Sequence, residues 1–90
     1  MKILYFGASH CGQCKVLKPN FIKECQRLGL EEAKDYELID AEENMELSDK
    51  YDIRNLPTVV FVNGSGEVTH RAVGVNVWKD IGENVKNRFI

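Results

Sequence analysis

Cys11 and Cys14 stand three residues apart in the run Cys11-Gly12-Gln13-Cys14. Thiols at this spacing either hold a soft metal ion or exchange a disulfide with a substrate. An apolar stretch leads into the pair and a helix-periodic stretch leaves it. Both thiols then lie on one face of a first helical turn, where their sulfurs can meet. The free backbone N–H groups and positive dipole end of such a helix favour a thiolate over a thiol and lower the pKa of the first cysteine. Cys11 is therefore the candidate nucleophile. Its thiolate opens a substrate disulfide to a mixed disulfide, and Cys14, at the head of a buried stripe, resolves it and releases reduced product.

These thiols must be positioned by the surrounding elements. Lys2-Ile3-Leu4-Tyr5-Phe6 is a short apolar run closed by Gly7, the pattern of a strand buried on both faces and central in a sheet. From Cys11 the apolar residues Cys14, Leu17, Phe21, Cys25 and Leu28 recur at three- and four-residue steps before Gly29, which predicts an amphipathic helix with a glycine stop. Pro19 falls inside that helix, removes one backbone hydrogen bond and is expected to kink it. Tyr36 to Ile39 reads as a second strand, and Asn44 to Tyr51 as a short helix with Met45, Leu47 and Tyr51 as its apolar contacts. Thr58 to Val62 is β-branched and apolar, Asn63-Gly64-Ser65-Gly66 supplies a turn, and Glu67 to Val73 returns as the partner of a hairpin. After Gly74, Asn76 can cap a last helix with Trp78, Ile81, Val85 and Phe89 on its apolar face. The predicted order is β-α-β-α-β-β-α.

With 90 residues and no repeat, linker or shift in composition, residues 1–90 are expected to form one domain. The formal net charge of −2 argues against a nucleic-acid surface, and the acidic cluster from Asp40 to Glu46 reads as a solvated face. The apolar run at the start is too short for a signal peptide or a membrane span, so a cytoplasmic protein with no membrane partner is expected. In that compartment three cysteines do not make a disulfide framework, which leaves their spacing as the informative feature.

The chain resembles the thioredoxin family over most of its length. The strand into Cys11-Gly12-Gln13-Cys14, followed by Lys15 and then Pro19, is similar to the family's active-site strand and kinked helix. Tyr51-Asp52-Ile53-Arg54-Asn55-Leu56-Pro57-Thr58 resembles the stretch ending in the family's cis-proline, and Gly74 matches its glycine near the substrate surface. The resemblance implies a minimal α/β thioredoxin fold, with a central mixed four-stranded sheet flanked by three helices. It also implies a protein-disulfide reductase that cycles a Cys11–Cys14 disulfide and binds its clients at Leu56, Pro57 and Gly74. Such a protein needs no bound cofactor or metal and works as a monomeric electron carrier, reduced by thioredoxin reductase or glutathione.

Three positions depart from the family pattern. His10 replaces the tryptophan before the first cysteine and Gln13 replaces the proline between the two, while Gly12 is kept. His10, as an imidazolium, can stabilise the thiolate or sit in solvent. Tyr5 occupies the place of a buried aspartate that assists deprotonation of the second cysteine. Water, the Tyr5 hydroxyl or a mobile carboxylate are its possible substitutes, beside a plain packing role. Cys25 lies about 16 Å along the helix from Cys14, too far to bridge it, and reads as core. His70 reads as a surface residue on a sheet edge.

Other functions fit parts of the pattern. A glutaredoxin-like, glutathione-dependent reductase shares the cysteine spacing. A metal module built on His10, Cys11 and Cys14 lacks a clear fourth ligand, since a second cysteine pair is absent. A redox-inactive domain binding extended peptides near Pro57 has no need of two paired cysteines.

Overall fold

The computed structural model describes residues 2–9 and 11–74, and within them the elements follow the predicted order as far as the hairpin. They are β1 (Lys2–Gly7), α1 (Gly12–Arg27), β2 (Tyr36–Asp40), α2 (Met45–Lys50), β3 (Thr58–Val62) and β4 (Val68–Val73). The helix expected from Asn76 lies outside the described residues.

The four strands form one mixed sheet in the order β2-β1-β3-β4. β1 runs parallel to β2, with Ile3 against Tyr36 and Gly7 against Asp40, and antiparallel to β3, with Phe6 against Thr58. The two interior strands, β1 and β3, are the apolar ones. Five of the six β1 residues and all five of β3 are buried, as two-sided burial requires.

Alternation along β1 divides the core in two. Ile3 and Tyr5 face α1 and pack with Leu17, Phe21, Cys25, Tyr36, Val59, Phe61 and Ala72. Leu4 and Phe6 point to the opposite face, where Val60, Val62 and Tyr51 cover them. The Phe21 ring lies 4.9 Å from that of Tyr5 and 5.7 Å, edge-on, from that of Tyr36, so one α1 side chain bridges β1 and β2.

Helix α1 buries Cys14, Leu17, Phe21 and Cys25, the predicted stripe, and continues through Pro19. It ends in a Schellman motif. Leu30 N–H donates to the Cys25 carbonyl at 2.9 Å and Gly29 N–H to that of Gln26 at 3.0 Å, with Gly29 at φ 78°. The hairpin turn is closed by Asn63, whose Oδ1 accepts the N–H groups of Ser65 and Glu67.

Two expectations fail here. Met45 is 67% exposed, because the short α2 turns its first residue away from the sheet and leaves Leu47 and Tyr51 as its apolar contacts. His70 is not a free surface residue. Its ring packs edge-on against Phe61 at 5.7 Å, and its Nε2 is buried with no hydrogen-bond partner among the described residues. Pairing across the hairpin sets His70 opposite Phe61, and a large neighbour covers an edge-strand ring that alternation alone would leave in water.

Candidate active site

The site is built where β1 stops and α1 starts. Cys11 is the N-cap of α1, with extended backbone (φ −80°, ψ 112°), and its own N–H donates to the Ala8 carbonyl at 3.2 Å. Its side chain does what a serine or aspartate does at other caps: the sulfur accepts the N–H of Cys14 at 3.2 Å. A sulfur in that position gains more from the bond as a thiolate than as a thiol. No acidic residue sits in the first turn of α1 to oppose a negative charge there.

The two cysteines differ in depth. Cys11 is partly exposed, whereas Cys14 is 4% exposed and begins the stripe that continues into Leu17 and Phe21. Gly12 and Gln13 between them are exposed, and a β-carbon at Gly12 would meet nothing within 4 Å. His10 lies outside the described residues.

Gly7 holds a place that sequence reasoning assigned only to a strand end. A β-carbon there would lie 3.3 Å from the Cys14 sulfur and 3.0 Å from Tyr5 Cε1. The absence of a side chain here lets β1 run close beneath the second cysteine without crowding it. Nothing in a single sequence shows which strand end a helix will approach.

Beside Cys14 opens a cleft of about 310 Å³ bounded by Tyr5, Gly7, Ser9, Lys15, Lys18 and Asp40 among others. Tyr5 is 1% exposed, and burial pushes its phenol up to about 12. Tyr5 therefore keeps its proton at neutral pH. As a phenol it can donate a hydrogen bond. Its hydroxyl is buried and has no hydrogen-bond partner among the described residues.

Pro57 and Gly74 come together as a pair. The Leu56–Pro57 peptide is cis, and Gly74 N–H donates to the Pro57 carbonyl at 2.9 Å. Continuing the Phe6–Thr58 register by one step places Pro57 across from Gly7, at the same end of the sheet as the cysteines. The chain before Pro57 is held by a residue that sequence reading passed over. The Arg71 guanidinium on β4 donates to the backbone carbonyls of Tyr51 and Asp52, about twenty positions away. Long separation hides such a contact from any local pattern.

Cys25 is fully buried in the α1 face of the core, and burial together with the nearby Glu24 carboxylate pushes its thiol up to about 12. It is a packing residue. Among the described residues no three His, Cys, Asp or Glu side chains converge as metal ligands would. No helix among them is long and apolar enough to cross a membrane.

Residues 1–87 match the family model described as Thioredoxin. The chain is 30% identical over 86 residues to the thioredoxin of Mycoplasmoides gallisepticum, covering 93% of this chain and 80% of that one. It is 34% identical over 74 residues to thioredoxin-2 of Saccharomyces cerevisiae, covering 82% and 67%. In three dimensions it superposes on thioredoxin 1 of Thermosipho africanus with a TM-score of 0.77 at 22% identity, over the full length of both chains.

Proposed function

The chain belongs to the thioredoxin family of thiol–disulfide oxidoreductases, and from that premise we propose that it reduces disulfides of client proteins through Cys11 and Cys14. The observation that carries the division of labour is the hydrogen bond from Cys14 N–H to Cys11 Sγ across the first turn of α1. It stabilises negative charge on the more exposed sulfur, while the other remains buried beside it.

The Cys11 thiolate attacks one sulfur of the client disulfide. A Cys11–client S–S bond forms, the client S–S bond breaks, and the departing client thiolate takes a proton from solvent. Cys14, too deep to meet a protein disulfide itself, loses its proton and attacks the Cys11 sulfur. The Cys11–Cys14 bond forms, the mixed disulfide breaks, and the second client thiolate leaves. Two electrons have passed from the dithiol to the client. In this reading the client pairs with the backbone at Leu56 and Pro57, beside Gly74; the cis peptide and the position of Pro57 at the same end of the sheet as the cysteines support it.

The resulting disulfide is returned to the dithiol by a reductant, for which thioredoxin reductase is the proposed donor and the cytoplasm the proposed compartment. Reduction of insulin disulfides tests the reading in two arms, one driven by NADPH and thioredoxin reductase, the other by NADPH, glutathione reductase and glutathione. Turnover in the first arm by the wild type and its loss in Cys11→Ser are expected. Equal rates for the two proteins contradict the reading, and turnover only in the second arm reassigns the donor to glutathione.

A further inference from the structure

The proposed client edge at Leu56 and Pro57 borders a second cleft. The Leu56 side chain is one wall of a hollow of about 410 Å³ beside α2, away from the face that α1 covers. Met45 and Ile53 are its other large apolar walls, and Glu42, Asp49 and Arg54 its charged ones. Met45 is 67% exposed, an unbranched apolar side chain free to fold against whatever enters.

The polar groups of these walls are set to accept hydrogen bonds. Ser48 donates its hydroxyl proton within the protein, where the Ala41 and Asn44 carbonyls lie at 3.0 and 3.1 Å, and its oxygen keeps only acceptor capacity. Glu42 and Asp49 add two carboxylates. Arg54, the only cation among the described walls, holds the Asp52 carboxylate through its Nε at 2.9 Å, which offsets its charge. Apolar walls edged by acceptors and carboxylates suit a long aliphatic stem that ends in a cationic donor. They repel a carboxylate.

We propose that this cleft receives a lysine or arginine side chain of the client, from a position a few residues from the cysteine under attack. The inference rests on the proposed dithiol exchange and names a class of client for it, disulfides flanked by basic residues. A client strand laid along Leu56 presents alternate side chains to its two sides, so one set is delivered to the cleft that Leu56 walls. The stem packs on Met45, Ile53 and Leu56 while the cation meets the Glu42 and Asp49 carboxylates. Those carboxylates are exposed, so the gain lies in encounter rate and choice of client rather than in tight binding. The cleft takes no part in the electron transfer.

The test uses short peptides whose central cysteine carries thionitrobenzoate in a mixed disulfide, with lysine or glutamate scanned through the positions on both sides. Thionitrobenzoate is the better leaving group, so Cys11 of the reduced protein attacks the peptide sulfur and the coloured thiolate is released. Each rate constant is divided by that of the same peptide with dithiothreitol, which removes the peptide's own reactivity. At the position that reaches the cleft, lysine is expected to react about tenfold faster than glutamate at low salt, and the ratio should shrink at high salt. Glu42→Gln/Asp49→Asn should abolish the preference. Glu32→Gln/Glu67→Gln removes the same charge outside the cleft and should keep it. Asp49→Lys should turn the preference toward glutamate, a reversal that a damaged fold does not produce. Equal lysine and glutamate rates at every position overturn the proposal, and so does a preference that both double variants keep or both lose. A failure of the dithiol reading appears differently, as release by Cys11→Ser at the wild-type rate from every peptide.

Discussion

Gly7 and Cys14 lie so close that a β-carbon at position 7 would be 3.3 Å from the Cys14 sulfur. The same atom would lie 3.0 Å from Tyr5 Cε1, and the Tyr5 ring is buried and packed at a tilt on Phe21. The last residue of β1 therefore sets how near the Cys14 thiol can come to the sheet.

Gly7→Ala should overpack this contact, because a wedged ring yields less readily than a flexible chain end. A loss of about 1–3 kcal/mol is expected. Urea denaturation of the reduced protein measures it as a lower midpoint with an unchanged slope.

Cys25 and Tyr5 make stability fall in alkali. Their ordinary values are 9.0 and 10.0, and in the native state burial pushes both up to about 12. Between those limits the folded chain holds protons that the unfolded chain has lost. This part of the stability is complete below pH 9 and declines as pH rises toward 12, by at most about 1.4 kcal/mol per pH unit for each group. The stability advantage of wild type over Cys25→Ala should therefore shrink across this range. Denaturation curves at pH 8, 10 and 11 check it, and a constant difference would refute the assignment. At pH 8 the native protein should also leave Cys25 unmodified by iodoacetamide, since the thiol is both buried and protonated.

Arg71→Ala removes two donors from the carbonyls of Tyr51 and Asp52. The guanidinium is exposed, so the stability cost should be modest, about 1 kcal/mol. The local effect should be larger. Amide hydrogen exchange over residues 52–56 is expected to accelerate while exchange in β1 and β3 follows global stability alone.

Much of this architecture is legible in the sequence because it follows from local periodicity. The two-sided burial of β1 and β3, the stripe from Cys14 to Cys25 and the turn at Asn63 each follow from residues close together in the chain. The features that escaped are contacts between distant elements. Gly7 reads as a strand end until α1 is laid over it, Arg71 as one more alternating residue until its carbonyl partners are seen, and His70 as exposed until Phe61 stands opposite. Tyr5 is visible as a departure from the family pattern. Its protonated state is not, because that depends on burial from every side.

The unequal roles of the two cysteines are tested most directly by trapping. Cys14→Ser and Cys11→Ser proteins are each mixed with oxidised insulin, and the adducts are mapped by non-reducing mass spectrometry. The Cys14→Ser protein should accumulate a mixed disulfide through Cys11, because nothing remains to resolve it, and the Cys11→Ser protein should form none. Equal adducts in both proteins, or an adduct through Cys14, would contradict the account.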